Sequence, residues 1–294
     1  MSDVAIFCGS AIPRVLMVSL AITVLLVSCR PNRTARVSSS ARGLARDELQ
    51  LAAVSLKGWW EEDDRPLWND RAQWTGSAGV VQLHKDRLIL VTNSHCLNLR
   101  ALAESDLDGC PEVIDFGLEA HFFSGKKARV LRFAEIREPL DLALLEVEAA
   151  GLVEKRDFVL LPYRAQPDPR AGDEVCAVGA PMGLELRGTL TFGRISAIRE
   201  KDLMTGEKCR ILQIDAPINP GNSGGPLMRE SSGRWYWVGV NSSKVMALGV
   251  EGIGFAISAG ELLDALRRFE WFNCDKHGAA QACNRIYGKH AHAR

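Results

Sequence analysis

The chain has no excess of charge of either sign. Its 294 residues carry 36 Lys plus Arg against 36 Asp plus Glu, a formal net charge of zero. No global field then draws it to nucleic acid or to an anionic lipid surface. A glycine-rich phosphate loop and a dinucleotide fingerprint are both missing, which removes the usual nucleotide-binding readings. No pair of cysteines shows the close spacing of a zinc site, so no metal is expected. A membrane-spanning helix is not expected at the N-terminus either. The apolar run Val15–Val27 (VLMVSLAITVLLV) is short of the roughly 20 residues that a spanning helix needs.

What is present is ordinary for a globular protein: 47% hydrophobic and 24% charged residues, in a length that suits one large or two small domains. The N-terminal run suits the apolar region of an export signal. Arg14 precedes it, and Leu26-Val27-Ser28-Cys29 closes it in a pattern that resembles a bacterial lipobox. The expectation is a lipoprotein signal over residues 1–28, with Cys29 lipidated as the mature N-terminus. A plain secretory signal or an uncleaved anchor is the alternative. Residues 29–48, rich in Arg and Ser, read as a flexible tether. Export also changes how the cysteines are read. With Cys8 and Cys29 assigned to the signal, Cys96, Cys110, Cys176, Cys209, Cys274 and Cys283 remain. An even count in an oxidising compartment suggests disulfides. Pairing sequence neighbours gives Cys96–Cys110, Cys176–Cys209 and Cys274–Cys283; buried free thiols are the alternative.

From about residue 49 short apolar runs recur between turn residues, among them AGVVQL, RLILVT, ALLEVE, EVCAVG, CRILQID and GIGFAI. Many short strands at close spacing argue for an all-β barrel or sandwich. The proline-bearing stretch 158–174 reads as a joint between two β units. Apolar residues at helical spacing from Glu261 to Phe269 predict a short C-terminal helix. The Trp-rich segment 58–74 reads as an irregular loop with its indoles on the barrel.

One stretch, INPGNSGGPL (218–227), sets Ser223 among Gly221, Gly224 and Gly225. It is either loop punctuation or a nucleophile on a backbone that a substrate must approach closely. A nucleophilic serine needs a base, and the base needs an orienting group. His95 follows the apolar run LILVT, a strand end that makes a rigid platform for an imidazole. His84, His121, His277, His290 and His292 lie in less suitable settings. Asp141 opens DLALLEVE, where a carboxylate can enter a buried setting and hold the imidazole tautomer. Gly221 can aim its N–H beside that of Ser223 as an oxyanion hole.

These blocks resemble those of chymotrypsin-fold serine peptidases, nearest to the HtrA/Do-like branch: TNSHC around His95, DLALLEVE from Asp141 and INPGNSGGPL around Ser223. GSAGVV (76–81), VGAPMGLELRGTLTFGRISAI (178–198) and GIGFAI (252–257) resemble further family blocks in the same order. The resemblance covers about residues 75–258. It implies two six-stranded antiparallel β-barrels, placed here at about 49–157 and 158–262, with the site between them. It implies a triad of His95, Asp141 and Ser223, an oxyanion hole of Gly221 and Ser223, and no cofactor. Substrates would be proteins or peptides, and no nucleic acid is expected. The substrate pocket is expected to involve Pro217, Ile218, Asn241–Ser243, Gly254, Phe255 and Ala256. None of these is acidic, so small aliphatic side chains are favoured over Lys or Arg. Only 37 residues follow Ile257 (294 − 257), too few for the PDZ domain common in the family, and residues 263–294 read as helix and Cys-stapled tail. Family members often trimerise through N-terminal aromatic segments, a role that Trp59, Trp60, Trp68 and Trp74 could fill. The expected setting is a bacterial cell envelope, tethered and facing the periplasm. The competing reading is a catalytically weak, chaperone-like peptide-binding module on the same fold.

Overall fold

The strands explain themselves by which faces they bury. β3 (Arg87–Thr92) and β6 (Leu142–Glu148) are almost continuously apolar because both of their faces are covered. Leu88 and Leu90, with Ala143, Leu145 and Val147, fill the interior of a first barrel. The alternate residues Ile89, Val91, Leu142 and Leu144 join a different cluster. That cluster takes in Cys176, Val178, Met228, Trp235 and Trp237 from a second barrel, so it is the core between the two. The second barrel's own interior holds Val175, Ala177, Ile195, Leu212, Ile214, Leu227 and Val238.

The computed structural model describes residues 42–62, 72–84, 86–97, 113–137, 140–163, 167–202, 208–242, 252–262 and 284–285. These belong to one compact unit, Arg36–Arg294, while the unit Met1–Ala35 lies outside the described residues, and with it the expected signal and Cys29.

In the first barrel, β1 (Ala53–Glu62), β2 (Ala72–His84), β3, β4 (Val113–His121), β5 (Lys127–Arg137) and β6 run in the order β5-β4-β1-β2-β3-β6 and close through β5–β6 pairing. The second closes in the order β10-β11-β12-β9-β8-β7. Its strands are β7 (Glu174–Gly179), β8 (Thr189–Asp202), β9 (Lys208–Ile214), β10 (Pro226–Ser231), β11 (Arg234–Ser242) and β12 (Gly254–Ser258). The pairings within both barrels are antiparallel, as the sequence predicts. Closure removes the exposed edges that open sheets carry.

Several expectations need correction. The segment 42–48 is not a free tether. Leu44 bridges to Trp235, and a 3-10 helix at Arg46–Ala52 buries Leu49 against the inter-barrel core. Its apolar residues outweigh the arginines: Leu44 and Leu49 are buried, while Arg46 stacks on the Phe192 ring at 4.6 Å. Nor is the Trp-rich stretch irregular throughout. β1 and β2 extend into it, with Trp59 opposite Gln73 and Gly58 opposite Trp74. The missing side chains at Gly58 and Gly117 leave room for the rings of Trp74 and Trp59. Trp68 lies outside the described residues.

The predicted disulfide Cys176–Cys209 does not form: both residues are buried thiols, as is Cys96, whose predicted partner Cys110 lies outside the described residues. Cys176 is on β7 and Cys209 on β9, with β8 between them. A disulfide needs Cα atoms within about 7 Å, and next-but-one strands stand roughly 9–10 Å apart. Cys96 hydrogen-bonds toward the Ser223 carbonyl at 3.4 Å. Cys110, Cys274 and Cys283 lie outside the described residues. Residues 259–262 are helical, where the predicted C-terminal helix begins, and its continuation lies outside them too.

Candidate active site

Strand register brings the first two residues together. β3 and β6 are antiparallel with Thr92 opposite Ala143, so the chain leaving β3 meets the chain entering β6. His95 lies in a 3-10 turn at Ser94–Leu97, and Asp141 immediately precedes β6. The Asp141 carboxylate takes both groups of one residue. Its Oδ1 accepts the His95 backbone N–H at 2.9 Å, and its Oδ2 lies 2.6 Å from His95 Nδ1. The Asp141 carbonyl accepts from the Asn93 side chain at 3.0 Å and from the Ser94 N–H at 3.1 Å, while the Ser94 hydroxyl donates to Leu142 at 2.9 Å. The Asp141 backbone is left-handed, with φ 59°. Aspartate tolerates that region better than most residues.

With Nδ1 committed to the carboxylate, Nε2 is the nitrogen left to exchange a proton. Burial opposes charging the ring, but the hydrogen bond to Asp141 and the adjacent Cys96 sulfur outweigh it, and the His95 pKa is raised to about 10. The net effect is that the site stabilises imidazolium.

Ser223 enters from the second barrel, in the loop before β10. That loop is packed too closely for side chains at three positions. A Cβ at Gly221 would stand 2.2 Å from the Ala180 carbonyl, one at Gly224 2.1 Å from the Ser77 carbonyl, and one at Gly225 2.2 Å from the Val178 carbonyl. Gly221 and Gly224 are also left-handed, at φ 96° and 84°. The Ser223 carbonyl accepts the Ser77 N–H at 2.8 Å, and the Cys96 thiol lies near the same oxygen. The residue after His95 and the backbone of Ser223 are therefore in contact across the two barrels.

The remaining predicted positions divide. Asn241 holds the loop through its backbone: its carbonyl accepts the Gly224 N–H at 2.9 Å and its N–H donates to Gly225 at 2.8 Å. Its side chain donates to Pro226, and Ile218 is buried in the second barrel's core. Ser242 pairs with Phe255 and Asn241 with Ala256 across β11 and β12, which puts these residues beside the loop. The Ser242 hydroxyl is buried and, among the described residues, unpartnered. Gly254 admits Ile218, because a Cβ there would sit 2.7 Å from it. Ser243 lies outside the described residues. The pattern of the sequence did not single out Ser77, Thr92 or Met182, which touch this loop or its neighbours. Only the strand order places them there.

Among the described residues no group of three or more His, Cys, Asp and Glu stands close enough to hold a metal ion. A separate groove of about 350 Å³ lies on the first barrel, lined by Lys57, Trp59, Gln73, Glu119, His121 and Lys127. It contains none of His95, Asp141 and Ser223. There His121 pairs with Glu119 at 3.1 Å, and burial of its ring holds its pKa below the usual value.

Comparison with known proteins gives the family of the chain. A family profile described as "Trypsin-like peptidase domain" matches residues 76–240. The chain is 39% identical over 126 residues to "Serine protease Do-like HtrB" of Bacillus subtilis, covering 42% of this chain and 26% of that protein. It is 40% identical over 208 residues to "Probable periplasmic serine endoprotease DegP-like" of Rhizobium meliloti, covering 70% and 37%. The chain thus spans about a quarter to just over a third of the length of these relatives. The fold is similar to that of a serine endoprotease from Yersinia pestis, with TM-score 0.50, 24% identity, and coverage of 76% of this chain and 64% of that one. With the profile spanning the strands that carry His95, Asp141 and Ser223, the chain belongs to the trypsin-like peptidase family, with relatives named as HtrA/DegP serine proteases.

Proposed function

We infer that this protein is a serine endopeptidase that cleaves peptide bonds through a Ser223–His95–Asp141 triad. The observation that carries the reading is the His95–Asp141 pair, held against the backbone of the Ser223 loop by strand register rather than by flexible side chains. His95 Nε2 takes the Ser223 hydroxyl proton as the oxygen attacks a substrate carbonyl, and Asp141 stabilises the imidazolium that forms. His95 then returns the proton to the leaving amine. Water repeats the sequence on the acyl-enzyme. The N–H groups of Gly221 and Ser223 receive the oxyanion. One support for that role is the Pro220 carbonyl, which accepts the Met182 N–H at 2.8 Å. A trans peptide sets its C=O and N–H on opposite sides, so the Gly221 N–H faces away from Met182.

Substrates are proteins or peptides, with a pocket built around Ile218, Asn241, Ser242, Gly254 and Phe255 favouring small aliphatic side chains. The setting is the bacterial envelope, in quality control or processing, with a lipid anchor at Cys29 and trimeric assembly. The relative named as periplasmic supports the compartment.

A second reading, a peptide-binding module with little turnover at neutral pH, is favoured by the raised pKa of His95. Protonated imidazole cannot accept the serine proton.

The test is covalent labelling with a fluorophosphonate. Wild type is labelled, Ser223→Ala is not, and Gly221→Val reacts about 10²–10³-fold more slowly, as for loss of an oxyanion donor. Absence of labelling between pH 7 and 10 rules out the peptidase reading.

A further inference from the structure

Ser77 lies on β2 of the first barrel, yet its polar atoms serve the second. It is fully buried. Its N–H donates to the Ser223 carbonyl at 2.8 Å. Its hydroxyl donates to the Gly221 carbonyl at 2.6 Å and accepts the Ala180 N–H at 3.1 Å. Its own carbonyl accepts the Thr92 hydroxyl at 2.7 Å, and Thr92 ends the strand from which His95 hangs.

Two peptide planes flank Gly221, and both are tied down. The plane before it is held by the Met182 N–H on the Pro220 carbonyl. The plane after it is held by the Ser77 hydroxyl on the Gly221 carbonyl. Turning the Gly221 N–H elsewhere requires breaking the bond between Met182 and Pro220, and Ser77 steadies both sides of it: its hydroxyl fixes the Gly221 carbonyl, and through the Ala180 N–H it holds the segment that carries Met182. A hydroxyl suits the position because it has one proton to give and lone pairs to receive. The Ala180 N–H occupies a lone pair and leaves the proton for Gly221. Alanine at this position would strand a buried carbonyl and a buried N–H together.

We propose that Ser77 is a positioning residue that sets the oxyanion-hole conformation of Gly221 from the opposite barrel. The proposal rests on the serine-peptidase reading. Ser77 touches no reacting atom. It acts through the Gly221 and Ser223 backbones, so its removal changes the transition state more than substrate binding.

The experiment compares wild type with Ser77→Ala in fluorophosphonate labelling rate, in kcat and KM on the p-nitrophenyl ester of acetyl-alanine, and in thermal melting. The expected result is a fall of about tenfold to a hundredfold in both kcat and labelling rate, short of deleting a donor outright. KM stays within about twofold. A lowered melting temperature with kcat and labelling rate unchanged overturns the proposal, as does a raised KM at unchanged kcat. If Ser77→Ala does not fold, Ser77→Cys keeps the shape with a weaker donor. It must then show slower labelling, and a wild-type rate overturns the proposal. An unlabelled wild type overturns the peptidase reading and this proposal with it. A labelled wild type beside an unaffected Ser77→Ala overturns this proposal alone.

Discussion

Asp141 combines a left-handed backbone with a carboxylate that faces one neighbour twice, through the His95 imidazole and the His95 N–H. Such strained positions persist where the surroundings over-determine them, and here the bonds from Asn93 and Ser94 do so. The consequence is a pH profile. Because the His95 pKa is raised from 6.5 to about 10, the free base becomes available only as pH rises. The acid limb of kcat/KM therefore lies well above pH 6.5, and Asp141→Asn moves it down while lowering kcat by about 10⁴. Stability runs the other way. A group whose folded pKa is raised stabilises the folded state fully below its unfolded pKa and loses that contribution as pH rises through its folded value. Urea midpoints at pH 6 and pH 10 should show this loss, and His95→Gln should flatten it. The readings of His95 and Asp141 rest on their places at the borders of apolar runs, and that of Ser223 on the glycines and prolines around it. Ser77 was not legible in the sequence, because a serine inside GSAGVV has no local mark of the loop it meets across the barrels.

At the scale of elements, the turns between strands carry their own restraints. Asp157 lies in the loop after β6 and is almost fully buried. Its Oδ2 accepts the Val153 N–H at 2.8 Å and the Lys126 ammonium at 3.0 Å. Burial works against the charge, but these bonds together with those from Ser124 and Arg156 hold its pKa far below the usual carboxylate range. Asp157→Ala is expected to cost about 1–3 kcal/mol in urea denaturation, with the catalytic pH profile unchanged. The stabilisation is present above the unfolded carboxylate pKa and is lost as pH falls through the folded value. Strand existence was readable from apolar runs. The extension of β1 and β2 into the Trp-rich stretch was not, because Gly58 and Gly117 look like breakers until the facing indoles are seen to fill their places. The cysteines misled for a related reason. Sequence proximity stood in for spatial proximity, whereas Cys176 faces the core between the barrels, where burial pushes its thiol up to about 12.

For the whole molecule, the two barrels are joined by a third apolar core, and the segment 42–52 enters it beside Trp235. In the sequence, residues 30–43 separate Cys29 from Leu44. Metabolic labelling with an alkynyl fatty acid should mark wild type and not Cys29→Ser, which should move from the membrane to the soluble fraction. Equal labelling of both forms would end the lipid-anchor reading. The sequence by itself determined the all-β class and the three chemical blocks, and the resemblance of those blocks to a known family implied the two barrels. Apolar alternation, turn residues and short motifs are local properties, written within a few positions of one another. The tertiary structure alone decided the thiol state of the described cysteines, the docking of residues 42–48, and the grip of Ser77 on Gly221. Each of these depends on which strands close beside which, and that is a contact between residues far apart in the chain.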